Sequence, residues 1–244
     1  MSRSLFVHRR LTCVTAARQE HKTNLADVSV VIPTLNAAAA LGATVASVRG
    51  AGEVVVVDGG SADGTQALAR SLGARVIEAP RGRGAQLAAG AAGAGGEWLL
   101  LLHADTRLEE GWAEAAAAHM ARGPAQAGWF GFALDSDSPQ ARRLERLVAW
   151  RCRALALPYG DQGLLIHRDL LQAAGGIRPL QLMEDVDLVR RLGRRRLAPL
   201  AARAITSAEK WERDGWIRRS ARNLLCLSLW LAGVPPRLIA RLYG

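Results

Sequence analysis

The apolar positions in the first half of the chain fall into short, nearly uninterrupted runs separated by segments of helical composition. Val28-Ser-Val-Val-Ile-Pro33 is β-branched and stopped by proline, which predicts a buried strand. Ala37 to Arg49 follows with helical composition. Glu53-Val-Val-Val-Val-Asp58 predicts a second buried strand closed by Gly59-Gly60-Ser61, and Asp63 and Thr65 open a helix over Gln66 to Leu72. Arg75-Val-Ile-Glu78 predicts a third, shorter strand and Gln86 to Ala94 a small-residue helix. Trp98-Leu-Leu-Leu-Leu102 predicts a fourth strand that runs into His103-Ala-Asp105. Strands apolar on both faces and alternating with helices belong to a parallel sheet covered on both sides. In such sheets ligands sit beyond the carboxyl ends of the strands. Asp58 and Asp105 fall at two of those ends.

Beyond Glu109 the alternation loosens. The pattern predicts helices over Trp112 to Arg122, Ala141 to Leu155, Asp169 to Ala174 and Glu184 to Leu192, with strands over Gly128 to Leu134 and Gly163 to His167. Trp211 to Leu242 reads as one or two amphipathic helices broken at Pro235-Pro236. No repeat or flexible linker divides the chain. We therefore expect one domain over residues 27–210, a disordered basic arm over 1–26, and C-terminal amphipathic helices over 211–244 packed on the domain.

Composition narrows the setting. With 244 residues, half of them apolar, the chain can bury one substantial core. Cys13, Cys152 and Cys226 are scattered and lack metal-ligand spacing, which fits a reducing, cytoplasmic location. The first stretch lacks the apolar segment of a secretory signal. The run Leu224 to Val234 is shorter than the roughly 18 residues that span a membrane. The formal charge of +10 has no nucleic-acid footprint behind it, because the arginines are dispersed and aromatic content is 5%. Contact of the basic C-terminal helices, with Trp211, Trp216 and Trp230, with the inner face of a membrane stays open beside simple packing on the domain.

Each group of polar residues has two readings. Asp105 can hold a divalent cation that neutralises a diphosphate leaving group, or it can cap the next segment. Asp58 can hydrogen-bond a ribose or base, or it can close a tight turn. Glu184, Asp185 and Asp187 open a helix, where acids complement the macrodipole. One of them can equally serve as the general base for an acceptor hydroxyl. Arg81-Gly-Arg83-Gly84 suits phosphate binding or a solvated turn.

Taken together, Ser29 to Asn36, Val57 to Thr65, the strand ending His103-Ala-Asp105, and Glu184 to Leu188 resemble the family 2 glycosyltransferases in order and spacing. The resemblance runs from about Val28 to Tyr243. It implies the α/β GT-A fold, a Rossmann-like, mostly parallel sheet flanked by helices, with a mixed second half and C-terminal helices. Arg81 to Gln86, His103 to Thr106 and Tyr159 to Gly163 resemble more specifically a bacterial subgroup associated with arsenosugar biosynthesis.

The resemblance implies roles. Pro33, Thr34 and Asn36 line the nucleotide site, with Asp58 near the base or ribose and Arg83, with Arg81, reaching the base or diphosphate. Ala104 and Asp105 match the end of the family's Asp-x-Asp motif, Asp105 being the Mn²⁺ or Mg²⁺ ligand. Asp185 matches the catalytic base of inverting members, Glu184 helps orient the acceptor, and Asp161 and Gln162 lie near it. The implied reaction is an in-line displacement with inversion, from a nucleotide-diphosphate sugar to a small-molecule or lipid acceptor. This sequence departs from the pattern at Ala37 and Gly59, where relatives often carry acids, and at His103, which replaces the first acid of Asp-x-Asp. It departs again at Lys210, which stands where an arginine-rich stretch is expected. Imidazole suits Mn²⁺ better than Mg²⁺, so His103 is either a supporting group behind the metal or a sign that Mn²⁺ is preferred. Two alternatives remain: a nucleotide-sugar-binding protein without catalysis, and a nucleotidyltransferase. The latter is disfavoured because Pro33-Thr-Leu-Asn36, not a Gly-rich lysine loop, follows the first strand.

Overall fold

A computed structural model describes residues 25–243, so the expected arm over 1–26 lies outside the described residues except for Leu25 and Ala26. The first half forms β1 (Val28–Thr34), α1 (Ala38–Ser47), β2 (Glu53–Asp58), α2 (Thr65–Ser71), β3 (Arg75–Glu78), α3 (Arg83–Gly93) and β4 (Trp98–Leu101). After it come β5 (Thr106–Leu108), α4 (Trp112–Met120), β6 (Ala127–Leu134), α5 (Pro139–Leu155), β7 (Leu164–His167), α6 (Arg168–Ala173) and α7 (Glu184–Leu192). The chain closes with β8 (Leu197–Thr206), α8 (Glu209–Asp214), α9 (Trp216–Leu231) and α10 (Pro236–Tyr243).

The eight strands of the described residues lie in one sheet in the order β3-β2-β1-β4-β7-β6-β8-β5. β3, β2, β1 and β4 run parallel, β7 is antiparallel to β4 and β6, and β6 pairs in parallel with β8. Successive strand residues point to opposite faces, and here both faces are apolar. Val28, Val30, Ile32, Val56 and Leu100 pack with Leu41 and Val45 of α1 on one side. Val31, Val55, Val57, Leu99 and Leu101 pack with Leu87 and Ala91 of α3 and Leu188 of α7 on the other. α3 sits close because it carries Gly90, where a Cβ would lie 2.3 Å from Val31. The alternating half of the sequence therefore folds as its pattern predicts.

The second half departs from expectation in two places. β5 and β8 are strands that the pattern does not announce. β8 is rich in alanine, contains Pro199 and has one β-branched residue before its last position, so local propensity is weak. Its pairing comes from its neighbours, with β6 on one side and β5 on the other, and an irregular register beyond Trp129 accommodates the extra residues. The C-terminal region has three helices, not one or two, because Gly215 and Gly233 at positive φ interrupt it before Pro236 begins α10. Among the described residues no helix is long and apolar enough to cross a membrane.

Candidate active site

The carboxyl ends of β1 and β2 carry a dense hydrogen-bond network. Asp58 is fully buried, and its carboxylate accepts from Thr34 Oγ1 (3.0 Å), Gly60 N (3.0 Å), Ser61 N (2.8 Å), Ser61 Oγ (2.5 Å) and Gln66 Nε2 (3.0 Å). Burial pushes its pKa up, but the bonds from Ser61, Gln66 and Thr34 prevail and hold it at about 2. Both oxygens are thus spent inside the turn. Asn36 has left-handed backbone (φ 50), and its side chain accepts from Ala62 N at 2.9 Å while its N–H donates to Ser61 Oγ at 2.8 Å. Pro33 and Thr34 are buried beneath this pair of turns. Gln86 donates to the carbonyls of Thr34 (2.7 Å) and Val57 (2.8 Å) and so ties the two strand ends together. A Cβ at Gly59 would stand 3.1 Å from the Gln86 amide. The missing acid at position 59 has a physical counterpart: Gln86 takes that space.

Beside the network, at the end of β4, lies an open cleft of about 830 Å³. Arg83, His103, Asp105, Asp161, Asp185 and Lys210 all line it. Arg83 is the first residue of α3, and its Nε lies 2.7 Å from Glu184 Oε1 at the start of α7. The two helix N-termini therefore meet at the cleft. The acids of α7 divide. Asp187 is buried and paired with Arg178 (2.9 Å) and Arg191 (2.8 Å), a structural role. Glu184 is buried behind Arg83 and lines an adjoining apolar cavity, not the cleft. Burial pushes its pKa up to about 7, more than the half-exposed Arg83 pulls it down. Asp185 faces the cleft and accepts from Gly160 N (2.8 Å) and Val186 N (2.7 Å). Burial raises its pKa, yet Arg83, the Gly160 N–H and His103 hold it below the ordinary value.

His103 presses on Gly160, where a Cβ would lie 2.5 Å from His103 Nε2. That Nε2 is buried and has no hydrogen-bond partner among the described residues. Burial and Arg83 lower the His103 pKa to about 4, so the ring is neutral. Asp105 Oδ2 pairs with Lys210 Nζ at 2.7 Å, and burial of the carboxyl is outweighed by His103 and Lys210, which lower its pKa. Lys210 arrives because β8 pairs with β5 and the Ser207 N–H donates to the Asp105 carbonyl. Ala104 contributes a carbonyl to Thr44 Oγ1 at 2.8 Å. Asp161 Oδ1 is buried with no hydrogen-bond partner among the described residues, and burial raises the carboxyl's pKa to about 6. Gln162 is different. It is fully buried, accepts from Tyr159 N and Arg151 (each 3.2 Å) and donates to the Phe130 carbonyl (3.0 Å), so it shapes the Tyr159–Gly163 loop and is not among the residues that line the cleft. Arg81 is exposed beside Gly59, outside the cleft lining.

Sequence reasoning did not assign Tyr159, Trp211, Arg219 and Asn223, which also line the cleft. Arg219 Nε and Asn223 Oδ1 are buried and have no hydrogen-bond partner among the described residues. No residue spacing marks Arg219 and Asn223 in the sequence, since α9 reaches the site only through tertiary packing.

Of the residues assigned by pattern, Pro33, Thr34, Asn36 and Asp58 therefore belong to the β1–β2 turn network and Arg83, Asp105, Asp161 and Asp185 to the charged cleft, whereas Arg81, Gln162 and Glu184 lie outside both. Residues 29–176 match the family model described as Glycosyl transferase family 2. No curated protein matches the chain. Among solved structures, the fold is similar to residues 1–349 of TarS from S. aureus (TM-score 0.59, 16% identity, covering 89% of this chain and 69% of that one). It is also similar to glucosyl-3-phosphoglycerate synthase from Mycobacterium tuberculosis in complex with Mn²⁺, uridine diphosphate and glucosyl-3-phosphoglycerate (TM-score 0.55, 20% identity, covering 87% and 84%). The TarS 1–349 fragment in complex with UDP-GlcNAc aligns at a TM-score of 0.58 and 18% identity over 74% of this chain and 58% of that one. These likenesses carry the GT-A fold.

Proposed function

Because this chain belongs to glycosyl transferase family 2, we propose that it moves a sugar from a nucleotide-diphosphate donor to an acceptor hydroxyl, with inversion, at the cleft beyond β4. The observation that carries this reading is the convergence of Arg83, His103, Asp105, Asp185 and Lys210 on one wall-to-wall cleft. The likeness to structures holding UDP-GlcNAc, or Mn²⁺ and uridine diphosphate, supports a nucleotide-sugar donor.

The β1–β2 turns bind the nucleoside through Asn36 and the backbone of Gly60 and Ser61, which Asp58 holds in place. Asp58 acts through that backbone, its own oxygens being occupied. Arg83 and Lys210 offer positive charge to the diphosphate as it leaves. The residues also fit a divalent cation: Asp105 supplies a carboxylate, and His103 a neutral imidazole nitrogen that is buried without a partner among the described residues. Bound there with the donor phosphates, Mn²⁺ or Mg²⁺ would supply neutralisation of the leaving group. Asp185 accepts the proton of the acceptor hydroxyl. Its depressed pKa keeps it ionised at neutral pH, and two backbone N–H groups fix its orientation. Glu184 orients Arg83, and Asp161 meets the acceptor side.

The test is release of nucleoside diphosphate from a panel of nucleotide sugars, with and without Mn²⁺ or Mg²⁺. Release that needs the cation and collapses in Asp105→Ala is expected. Release indifferent to chelator and to that substitution overturns the metal assignment. Donor binding that raises apparent stability without any release would mark a binder that does not turn over.

A further inference from the structure

A second hollow, of about 580 Å³, opens off the cleft between α5 and α9. It shares Tyr159, Asp161, Trp211, Asn223 and Leu227 with the cleft, so the two are continuous. Its walls are otherwise largely apolar: Leu144 and Val148 on α5, Phe132 on β6, and Leu224 on α9. These positions repeat at helical spacing on each helix, so each presents one face to the groove.

From the groove the apolar surface continues to solvent. Ile217, Leu224 and Leu231 recur every seven residues along α9 and therefore share a face; Ile217 is 86% exposed and Leu224 64%. On α5, Leu147 and Trp150 stand beside the groove face, and Trp150 is 59% exposed. On α10, Leu238 and Leu242 are likewise exposed. Soluble surfaces rarely carry so many large apolar side chains together without a partner.

Charge says what the partner is. α9 and α10 hold five arginines and no acid. Arg143, Arg146, Arg218, Arg237 and Arg241 are exposed, and among the described residues no ion pair to a carboxylate engages any of them. A second copy of this chain would bring the same basic face against itself. Residues 1–24 carry five Lys or Arg against one Glu, again the same sign. An apolar strip rimmed by unpaired arginines is complementary to an anionic lipid surface.

We propose that the acceptor is an amphiphile: the α5–α9–α10 face docks on an anionic bilayer, and the groove leads the acceptor's hydrocarbon chain to its hydroxyl in the cleft. This rests on glycosyl transfer at that cleft.

The test sediments the full chain with vesicles of phosphatidylcholine, alone or mixed with phosphatidylglycerol. Sedimentation with the mixed vesicles only, reversed by added salt, is expected. Ile217→Glu and Trp150→Glu should each lower it roughly tenfold, the scale of one lost apolar side chain, without altering the stabilisation by nucleoside diphosphate and Mn²⁺. A diazirine-bearing acyl lipid in the same vesicles should label peptides of α5 and α9 that contain Leu144, Val148, Leu224 or Leu227. No binding to either vesicle, or label outside those helices, overturns the proposal. So does a concentration-dependent dimer abolished by Ile217→Glu in place of vesicle binding. Stabilisation by nucleoside diphosphate without vesicle binding sinks this proposal alone, whereas its absence in lipid-free buffer tells against the donor reading itself.

Discussion

Asp58 and Glu184 are both buried carboxylates, and their surroundings drive them in opposite directions. Asp58 gathers donors from five groups, so its folded pKa of about 2 lies below the ordinary 3.8. Its contribution to stability is present above the ordinary value and is lost as pH falls through the folded one. Asp58→Ala should cost about 2 kcal/mol at neutral pH and flatten the acid side of the stability curve, measured by urea denaturation. Glu184 has the reverse sign. Its folded pKa of about 7 lies above 4.5, so stability is greatest below 4.5 and falls as pH rises towards 7, by an amount on the order of 3 kcal/mol at most. Glu184→Gln should remove that slope; a wild-type curve already flat over this window would refute the assignment. Asp185, ionised and facing the cleft, behaves as neither. Asp185→Asn should bind donor almost normally and lose turnover by roughly 10²-fold or more, read from single-turnover rates.

Elements bring these groups into register by close approach. α3 reaches β1 and β2 through Gly90, and Gly90→Ala, with its Cβ 2.3 Å from Val31, should overpack that contact. A cost of about 1–3 kcal/mol is expected, with the cleft chemistry little changed. Gly160 works differently. It is in the loop before β7, where it donates to Asp185 and lies against His103. Gly160→Ala should leave the thermal midpoint within a few degrees yet lower turnover sharply, because the added methyl displaces His103 or Asp185 from its place. Wild-type turnover in that variant would show that neither position is critical.

For the whole molecule, the cleft is a joint between halves of unlike origin. The parallel half provides Arg83, His103 and Asp105, whereas α7 provides Asp185 and the C-terminal helices provide Lys210, Arg219 and Asn223. α10 is tied down by Ile239, fully buried with Leu182, Met183, Val186 and Cys226. Ile239→Ala should therefore cost about 2–5 kcal/mol in a single cooperative transition. It should also depress transfer, because Met183 and Val186 flank Asp185. Two separate transitions would mean that the C-terminal helices melt apart from the sheet.

The sequence alone determined the parallel half, because strands buried on both faces are apolar at nearly every position and their ends are marked near Pro33, Gly59 and His103. For the same reason it exposed Asp58, Asp105 and Asp185 as candidates: an acid at the limit of an apolar run, or at a helix start, stands out. It could not announce β8, whose alanine and arginine residues become a strand only by pairing with β6 and β5. Nor could it tell that Asp58 spends its oxygens on its own turn, that Gln162 is buried in the core of a loop, or that Glu184 stands behind Arg83. Tertiary structure decided these, since direction and burial are properties of packing between distant segments. It also placed α9 beside the cleft and left the apolar strip of that helix facing outward.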